Sequence, residues 1–359
     1  MTASKIYVNG KFLGAGLNGV HRTAAHFSDA LLRQGGGQTE IELLAPRPFS
    51  PDPAFPRLVP RVVQGRLGPG QGWEMLTLPR AARDGLLVNF CNLAPLLHPR
   101  SVVMIHDVQT YLYPEDYTGR QAVAYRMLLP WIGRRAVRVL TVSDFSRKML
   151  AKYGIAPEAK IDVVHNGTDH ILDVAPDPSI LARHGLTRGR YVMTLGSAKG
   201  YKNIRRVFDA MREPLAEELP LVVAGGPPAT AYEARGWTPP AGTVFTGFVS
   251  DAELRSLYAG ASLFAFPSLT EGFGLPPVEA MHCDTPVVAA DAGAMPEVCT
   301  DGAILVDPAD TRAWRAALQA ICDQPDLSAD LISKGKARAE QLTWASAGAR
   351  VWSCLQPLL

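Results

Sequence analysis

Short apolar runs rich in β-branched residues recur along the chain, with helical stretches between them. In the first half they are Ile6–Val8, Ile41–Ala45, Leu86–Phe90, Val102–Ile105, Val137–Val142 and Ile161–Val164. In the second half they are Tyr191–Leu195, Leu221–Ala224, Thr243–Thr246, Leu263–Phe266, Pro286–Ala289 and Ile304–Val306. Most are hydrophobic throughout rather than alternating, the pattern of strands buried on both faces of a parallel sheet. The intervening pattern predicts helices over Val20–Arg33, Gln121–Arg135, Phe145–Tyr153, Ile204–Met211, Asp251–Ala259 and Val278–Cys283, with a final helix over Leu327–Leu358. Strand–helix alternation repeated in two halves predicts two doubly wound α/β domains. Pro176-Asp177-Pro178, after the turn-like Asn166-Gly167, marks a boundary. The expected division is 1–172, 173–340 and a C-terminal helix at 341–359 packing back on the first domain. Residues 46–72, rich in Pro, Gly and Arg without a clear period, read as a long loop.

Composition narrows the class. A chain of 359 residues is comfortable as two domains. No segment reaches the roughly 18 apolar residues needed to span a bilayer. Ile6-Tyr7-Val8 is too short for a signal-peptide core, so no export is expected. The five cysteines are odd in number and widely spaced, with no Cys-x-x-Cys. Neither a disulfide framework nor a zinc site is indicated, and a cytoplasmic location follows as an expectation. The net charge of +2 is unevenly spread. Residues 1–170 hold 20 Lys and Arg against 13 Asp and Glu, a balance of +7; the remainder holds 16 against 21, a balance of −5. No long Lys/Arg run occurs, so nucleic acid is not an expected partner.

Four stretches carry candidate chemistry. Pro267–Met281 follows the apolar strand Leu263–Phe266 and leads through Glu271-Gly272-Phe273-Gly274-Leu275-Pro276-Pro277 into a helix that contains Glu279. The glycines let backbone N–H groups approach a ligand, and a proline suits the first helical position. A helix N-terminus there favours a phosphate, while carboxylates suit sugar hydroxyls, so the pair reads as a sugar-nucleotide site. Glu279 is alternatively a first-turn carboxylate gaining about 0.3–1 kcal/mol from the helix dipole. In Leu195–Ile204 a strand again ends in a small-residue loop, here with Lys199 and Lys202; a lysine at this point can neutralise a diphosphate leaving group. Gly14-Ala15-Gly16-Leu17-Asn18-Gly19 is a literal G-x-G-x-x-G, a dinucleotide-binding pattern taken alone. Asn9–Leu13 separates it from the first strand, however, and no acid closes the Ile41–Ala45 strand, which argues against NAD. Finally, His106 follows a buried strand, whose C-terminal end faces the ligand side of an open α/β sheet.

Pro267–Met281 resembles the Glu–seven residues–Glu signature of the retaining glycosyltransferases of family 4 (group 1 glycosyltransferases). Thr285–Val298, Gly302–Pro308, Thr141–Ser146 and Val164-His165-Asn166-Gly167 resemble that family too, in family order. The resemblance implies the GT-B fold: α/β, with two Rossmann-like doubly wound domains facing a central cleft. It implies that Glu279 holds the ribose hydroxyls, that Glu271 lies beside the donor sugar, and that Lys202 meets the diphosphate. Many members carry an arginine where this chain has Ser197, so the second cation is missing or is supplied by Lys199. Donor contacts are implied at Gly19, Ser197, Lys199, Lys202, Glu271, Gly272, Phe273, Gly274, Leu275 and Glu279. The family's glycine-rich loop matches Asn18-Gly19-Val20-His21-Arg22, which places Asn18, His21 and Arg22 at the acceptor; His21 and Arg22 are equally read as exposed first-turn residues. His106 matches a histidine that hydrogen-bonds the donor sugar and joins Glu271 and Lys202 as a catalytic candidate.

The implied reaction moves a hexose, with retention, from a nucleotide sugar to a glycan or lipid-linked saccharide in polysaccharide biosynthesis. Mannose from GDP-mannose follows the family's habits. No cofactor or metal is implied, and no Asp-x-Asp triplet occurs to clamp one. The rivals are a nucleotide-sugar epimerase of GT-B fold and a non-catalytic sugar-nucleotide-binding protein. Around Tyr125–Arg135 apolar and cationic residues intermix as on a surface touching anionic lipid heads, which makes peripheral membrane contact an expectation. The alternative is a solvated helix whose stripe Pro130 and Gly133 interrupt.

Overall fold

Seven parallel strands form the N-terminal sheet: β1 (Ser4–Asn9), β2 (Thr39–Ala45), β3 (Arg61–Val62), β4 (Leu86–Asn89), β5 (Ser101–Met104), β6 (Arg138–Thr141) and β7 (Ile161–Val163). Their spatial order is β3-β2-β1-β4-β5-β6-β7. Six more build the second sheet: β8 (Val192–Leu195), β9 (Leu221–Ala224), β10 (Val244–Gly247), β11 (Leu263–Phe266), β12 (Val287–Ala290) and β13 (Ala303–Val306), in the order β10-β9-β8-β11-β12-β13. The computed structural model describes residues 4–14, 19–35, 39–50, 52–212, 215 and 219–359. The strands β4, β5, β9, β11 and β12 are buried along their whole length, which explains their almost wholly apolar sequences; the two polar residues, Asn89 and Ser101, are hydrogen-bonded to each other at 3.1 Å.

One compact unit comprises residues 1–167 with 344–359, the other 168–343. The first unit ends at Gly167, ahead of the boundary read at 172–173. The final helical stretch is two helices, Pro325–Ala339 and Trp344–Leu355, not one. The break falls where the chain passes from one unit to the other, and there Thr168 donates its N–H (2.8 Å) and its hydroxyl (3.0 Å) to the Leu342 carbonyl. Trp344–Leu355 then packs on the helix Gly19–Gln34; a Cβ on Gly348 would sit 2.8 Å from that of Ala30, so only glycine permits the approach.

Local signals place the helices. Ser143 and Ser250 cap theirs, and Ser250 forms a reciprocal capping box with Glu253. Each such cap contributes about 1 kcal/mol. The stretch 46–72 is not without structure: Arg61–Val62 pairs with Leu44–Ala45 as the edge strand β3. A π-helical turn, Trp73–Thr77, follows it, and there Trp73 is fully buried and donates its indole N–H to the Val63 carbonyl at 2.6 Å.

Candidate active site

In both sheets the strand order reverses beside the first strand, between β1 and β4 and between β8 and β11. Open α/β sheets bind ligands at the carboxyl ends of strands at such a switch point. In the C-terminal unit the residues beyond β8 and β11 are the Lys199–Lys202 and Ser268–Leu275 loops. The structure brings two of the expected residues together there: Lys202 donates to Glu271 Oε1 at 2.7 Å. The Lys202 ammonium also lies 5.3 Å from the Tyr201 ring centroid and 5.7 Å from that of Phe266, within cation–π range. Glu271 is buried.

The two loops are held by residues that sequence reading missed. Asn203, with φ +51°, donates its side-chain amide to the carbonyls of Pro267 (3.1 Å) and Pro308 (3.2 Å), and Arg206 Nε adds a bond to Pro308 at 2.8 Å. Asparagine tolerates this left-handed backbone better than most residues, which is the one signal the sequence offers. Leu269 N–H donates to Tyr201 O at 2.8 Å, locking loop to loop. Gly274 has φ +91° and caps the helix Leu275–His282; a side chain there would collide with Met295. Gly293, at φ +60°, would place a Cβ 2.8 Å from the Glu271 nitrogen. The helix starts three residues before Val278, at Leu275, with prolines in its first turn. Pro276 and Pro277 have no N–H, so the backbone donors at this end of the helix belong to the loop residues Gly272, Phe273, Gly274 and Leu275.

Glu279 is buried in this helix, and both its oxygens are engaged within the unit. Tyr258 donates its hydroxyl to Oε2 at 3.3 Å, and His170 Nε2 lies 3.3 Å from Oε1. Burial and the neighbouring carboxylate push the Tyr258 phenol well above its ordinary value, so it stays a donor. Each carboxylate oxygen keeps a further lone pair for a ligand hydroxyl. Ser197 Oγ accepts from the Lys199 N–H at 3.3 Å, and the Lys199 ammonium lies 5.7 Å from the Tyr201 ring. Phe273 and the flanking glycines are buried; Leu275 is half-buried.

The remaining candidates lie in the N-terminal unit. His106, just beyond β5, is buried; its Nε2 is 2.8 Å from the Phe90 carbonyl, and its N–H donates to Asn92 Oδ1 at 2.8 Å. A carbonyl only accepts, so Nε2 carries the proton and Nδ1 presents a lone pair. Burial holds the imidazole below its usual value, which keeps it neutral. Gly19 opens the helix Gly19–Gln34, where His21 and Arg22 are half-buried. Asn18 lies outside the described residues, as do 15–17 of the glycine-rich stretch. A 3-10 turn, Lys11–Gly14, intervenes between β1 and that stretch. A pocket of about 260 Å³ that His21 helps to line is also formed by Lys11, Gln71 and Glu74, none of them expected from sequence. Among the described residues no group of three or more His, Cys, Asp or Glu is placed to hold a metal ion, and no helix is long and apolar enough to cross a membrane. All five cysteines are free.

Two parallel sheets of matching strand order are the architecture of the GT-B class. Anabaena HepE, solved in complex with UDP-glucose, superposes with a TM-score of 0.69 at 20% identity over 99% of each chain. The family models of glycosyl transferases group 1 and of glycosyltransferase family 4 match residues 181–338 and 17–171, and the chain belongs to this family. The O-antigen chain mannosyltransferase B of Escherichia coli is 30% identical over 264 residues, covering 68% of this chain and 67% of that protein. The O-antigen chain mannosyltransferase RfbU of Salmonella typhimurium is 30% identical over 236 residues, covering 65% of this chain but 63% of its own length.

Proposed function

We propose that this chain is a hexosyltransferase that moves mannose, with retention, from GDP-mannose to a glycan or lipid-linked saccharide in polysaccharide biosynthesis. The observation that carries the reading is the Lys202–Glu271 pair at the β8/β11 switch point, beside a loop of consecutive backbone amides. In this reading the donor diphosphate takes Lys202 from Glu271 and accepts from the amides of Gly272–Leu275. The freed Glu271 then accepts from hydroxyls of the sugar, and Glu279 from those of the ribose. His106 Nδ1 accepts from a further sugar hydroxyl. The bond between the anomeric carbon and the phosphate oxygen breaks while the bond to the acceptor oxygen forms. The acceptor's proton passes to the departing phosphate oxygen, whose charge Lys202 offsets without a metal. The family relatives that act on mannose support this donor sugar; HepE's UDP-glucose supports only the class of nucleotide sugar.

A panel of nucleotide sugars with released diphosphate as the readout tests the reading. GDP-mannose is expected to turn over fastest, with EDTA making no difference. No turnover of any nucleotide sugar, or loss on chelation restored by Mn²⁺, contradicts it. Diphosphate release only when an acceptor is present separates transfer from epimerisation.

The proposed place of work is the cytoplasmic face of an anionic membrane. The helix Gly119–Arg135 carries four arginines and no acid. It runs unbroken through Pro130, and Val123, Met127 and Trp131 are 57%, 66% and 64% exposed at i, i+4 and i+8. Such a face matches a headgroup layer in both charge and apolar reach.

A further inference from the structure

The N-terminal switch point, between β1 and β4, holds a second built site. Asn9 ends β1, and Phe90 directly follows β4. Asn9 is buried and donates its amide to Glu74 Oε1 (2.8 Å) and Asn89 Oδ1 (3.0 Å). Lys11 donates to Glu74 Oε2 at 2.6 Å. With its amide turned, Gln71 donates to the same oxygen at 3.0 Å and accepts from Lys11 at 3.3 Å. Glu74 is 5% exposed and rides on the π-helical turn, a local geometry frequent at functional sites. Asn9, Lys11, Gln71 and Glu74 line the 260 Å³ pocket together with Phe12, Phe90 and Tyr125.

Stability does not account for this arrangement. Apolar side chains of similar volume commonly serve a fold as well as a buried ion pair does. The pair also opens onto a pocket rather than onto packed core. Its charges cancel: Lys11 is matched by Glu74, and the Cys91 thiol beside them is pushed up to about 12 by burial and stays neutral. Among the described lining residues an anion finds no uncompensated lysine or arginine. A polyol finds a carboxylate, an ammonium and amides that both donate and accept, with aromatic faces for its C–H side. The volume is below the roughly 300–1,000 Å³ typical of pockets for drug-sized ligands, which suits a single sugar ring.

We propose that this pocket holds one uncharged sugar ring of the acceptor and excludes sugar phosphates, with Glu74 as the specificity-determining residue. The proposal rests on the glycosyltransferase reading, and GDP binding tests that reading separately. The probes are methyl glycosides of mannose, glucose and galactose and the corresponding 6-phosphates, titrated into the full chain by saturation-transfer NMR. At least one methyl glycoside is expected to bind, and its 6-phosphate at least tenfold more weakly. Glu74→Gln is expected to weaken glycoside binding at least tenfold while GDP binding is unchanged. Gln71→Ala, on the exposed rim, gives a smaller loss in the same direction and serves if the first variant does not fold. The proposal is overturned if no methyl glycoside binds the wild-type chain, if a 6-phosphate binds as well as its parent, or if folded variants bind the glycoside normally.

Discussion

The two switch points are built alike and surrounded differently. Each lies where a parallel sheet reverses its strand order, and each carries a lysine–glutamate pair, Lys11–Glu74 at 2.6 Å and Lys202–Glu271 at 2.7 Å. Around Lys202 the neighbours are a second lysine, two aromatic rings and a loop of backbone amides. Around Lys11 they are side-chain amides, a half-buried thiol and aromatic rings. Topology supplies the place in both units; the flanking residues decide the class of ligand. The C-terminal set suits a diphosphate with a sugar attached, and the N-terminal set suits a neutral polyol.

Of the substitutions considered, Lys202→Ala is expected to cost the most activity. Removing a group that meets charge developing on a leaving oxygen costs about 10²–10³ in kcat in comparable cases, and a loss of that order is expected here, with circular dichroism unchanged. Turnover within threefold of wild type would remove Lys202 from the site.

Glu279→Ala and His106→Ala are expected to separate nucleotide affinity from turnover. Losing a hydrogen bond to a charged group costs roughly 1.5–3 kcal/mol, so Glu279→Ala is expected to raise the nucleotide Kd about tenfold or more. His106→Ala is expected to lower kcat more than it raises that Kd, because its Nδ1 lone pair faces the sugar hydroxyls in this reading. The reverse split would contradict both roles.

The units also differ in charge. Residues 1–167 with 344–359 hold 21 Lys and Arg against 12 Asp and Glu, a balance of +9, while 168–343 hold 15 against 22, a balance of −7. Vesicle flotation at low salt is therefore expected to show binding to anionic rather than neutral vesicles, lost in Arg134→Glu with Arg135→Glu. Equal flotation of that double variant would leave the Gly119–Arg135 face without the proposed role.

Much of the fold is legible in the amino-acid sequence. Buried parallel strands read as mostly apolar runs, and every run named in the sequence forms a strand. The Glu271–Glu279 stretch is legible because its glycines, prolines and carboxylates all fall within nine residues of one another. The N-terminal pocket is not, because Glu74 meets Asn9 across 65 positions and Lys11 across 63, with no local pattern to join them. The helix Thr311–Asp323 is absent from the expected set although Trp314, Ala317, Leu318 and Ile321 mark its buried stripe at helical spacing. Asn203 reads as ordinary loop because its role lies in carbonyls contributed by two distant strand ends.

The smallest expected effect is on stability. Burial holds His98, His106 and His282 below the ordinary imidazole value of 6.5. The unfolded chain takes up protons there that the native chain resists, so stability is full above that value and is lost as pH falls towards the native ones. Tm is expected to drop by a few degrees between about pH 7.5 and about pH 5, and by less in His282→Gln. A Tm flat across that window would contradict the burial of these rings.

The C-terminal switch point is expected to bind the nucleotide, and the N-terminal one is not. Calorimetric titration of GDP into the wild-type chain, Lys202→Ala and Glu74→Gln tests it most directly. The prediction is binding to the wild type, at least tenfold weaker binding to Lys202→Ala, and unchanged binding to Glu74→Gln. Binding lost in Glu74→Gln but kept in Lys202→Ala would contradict the account.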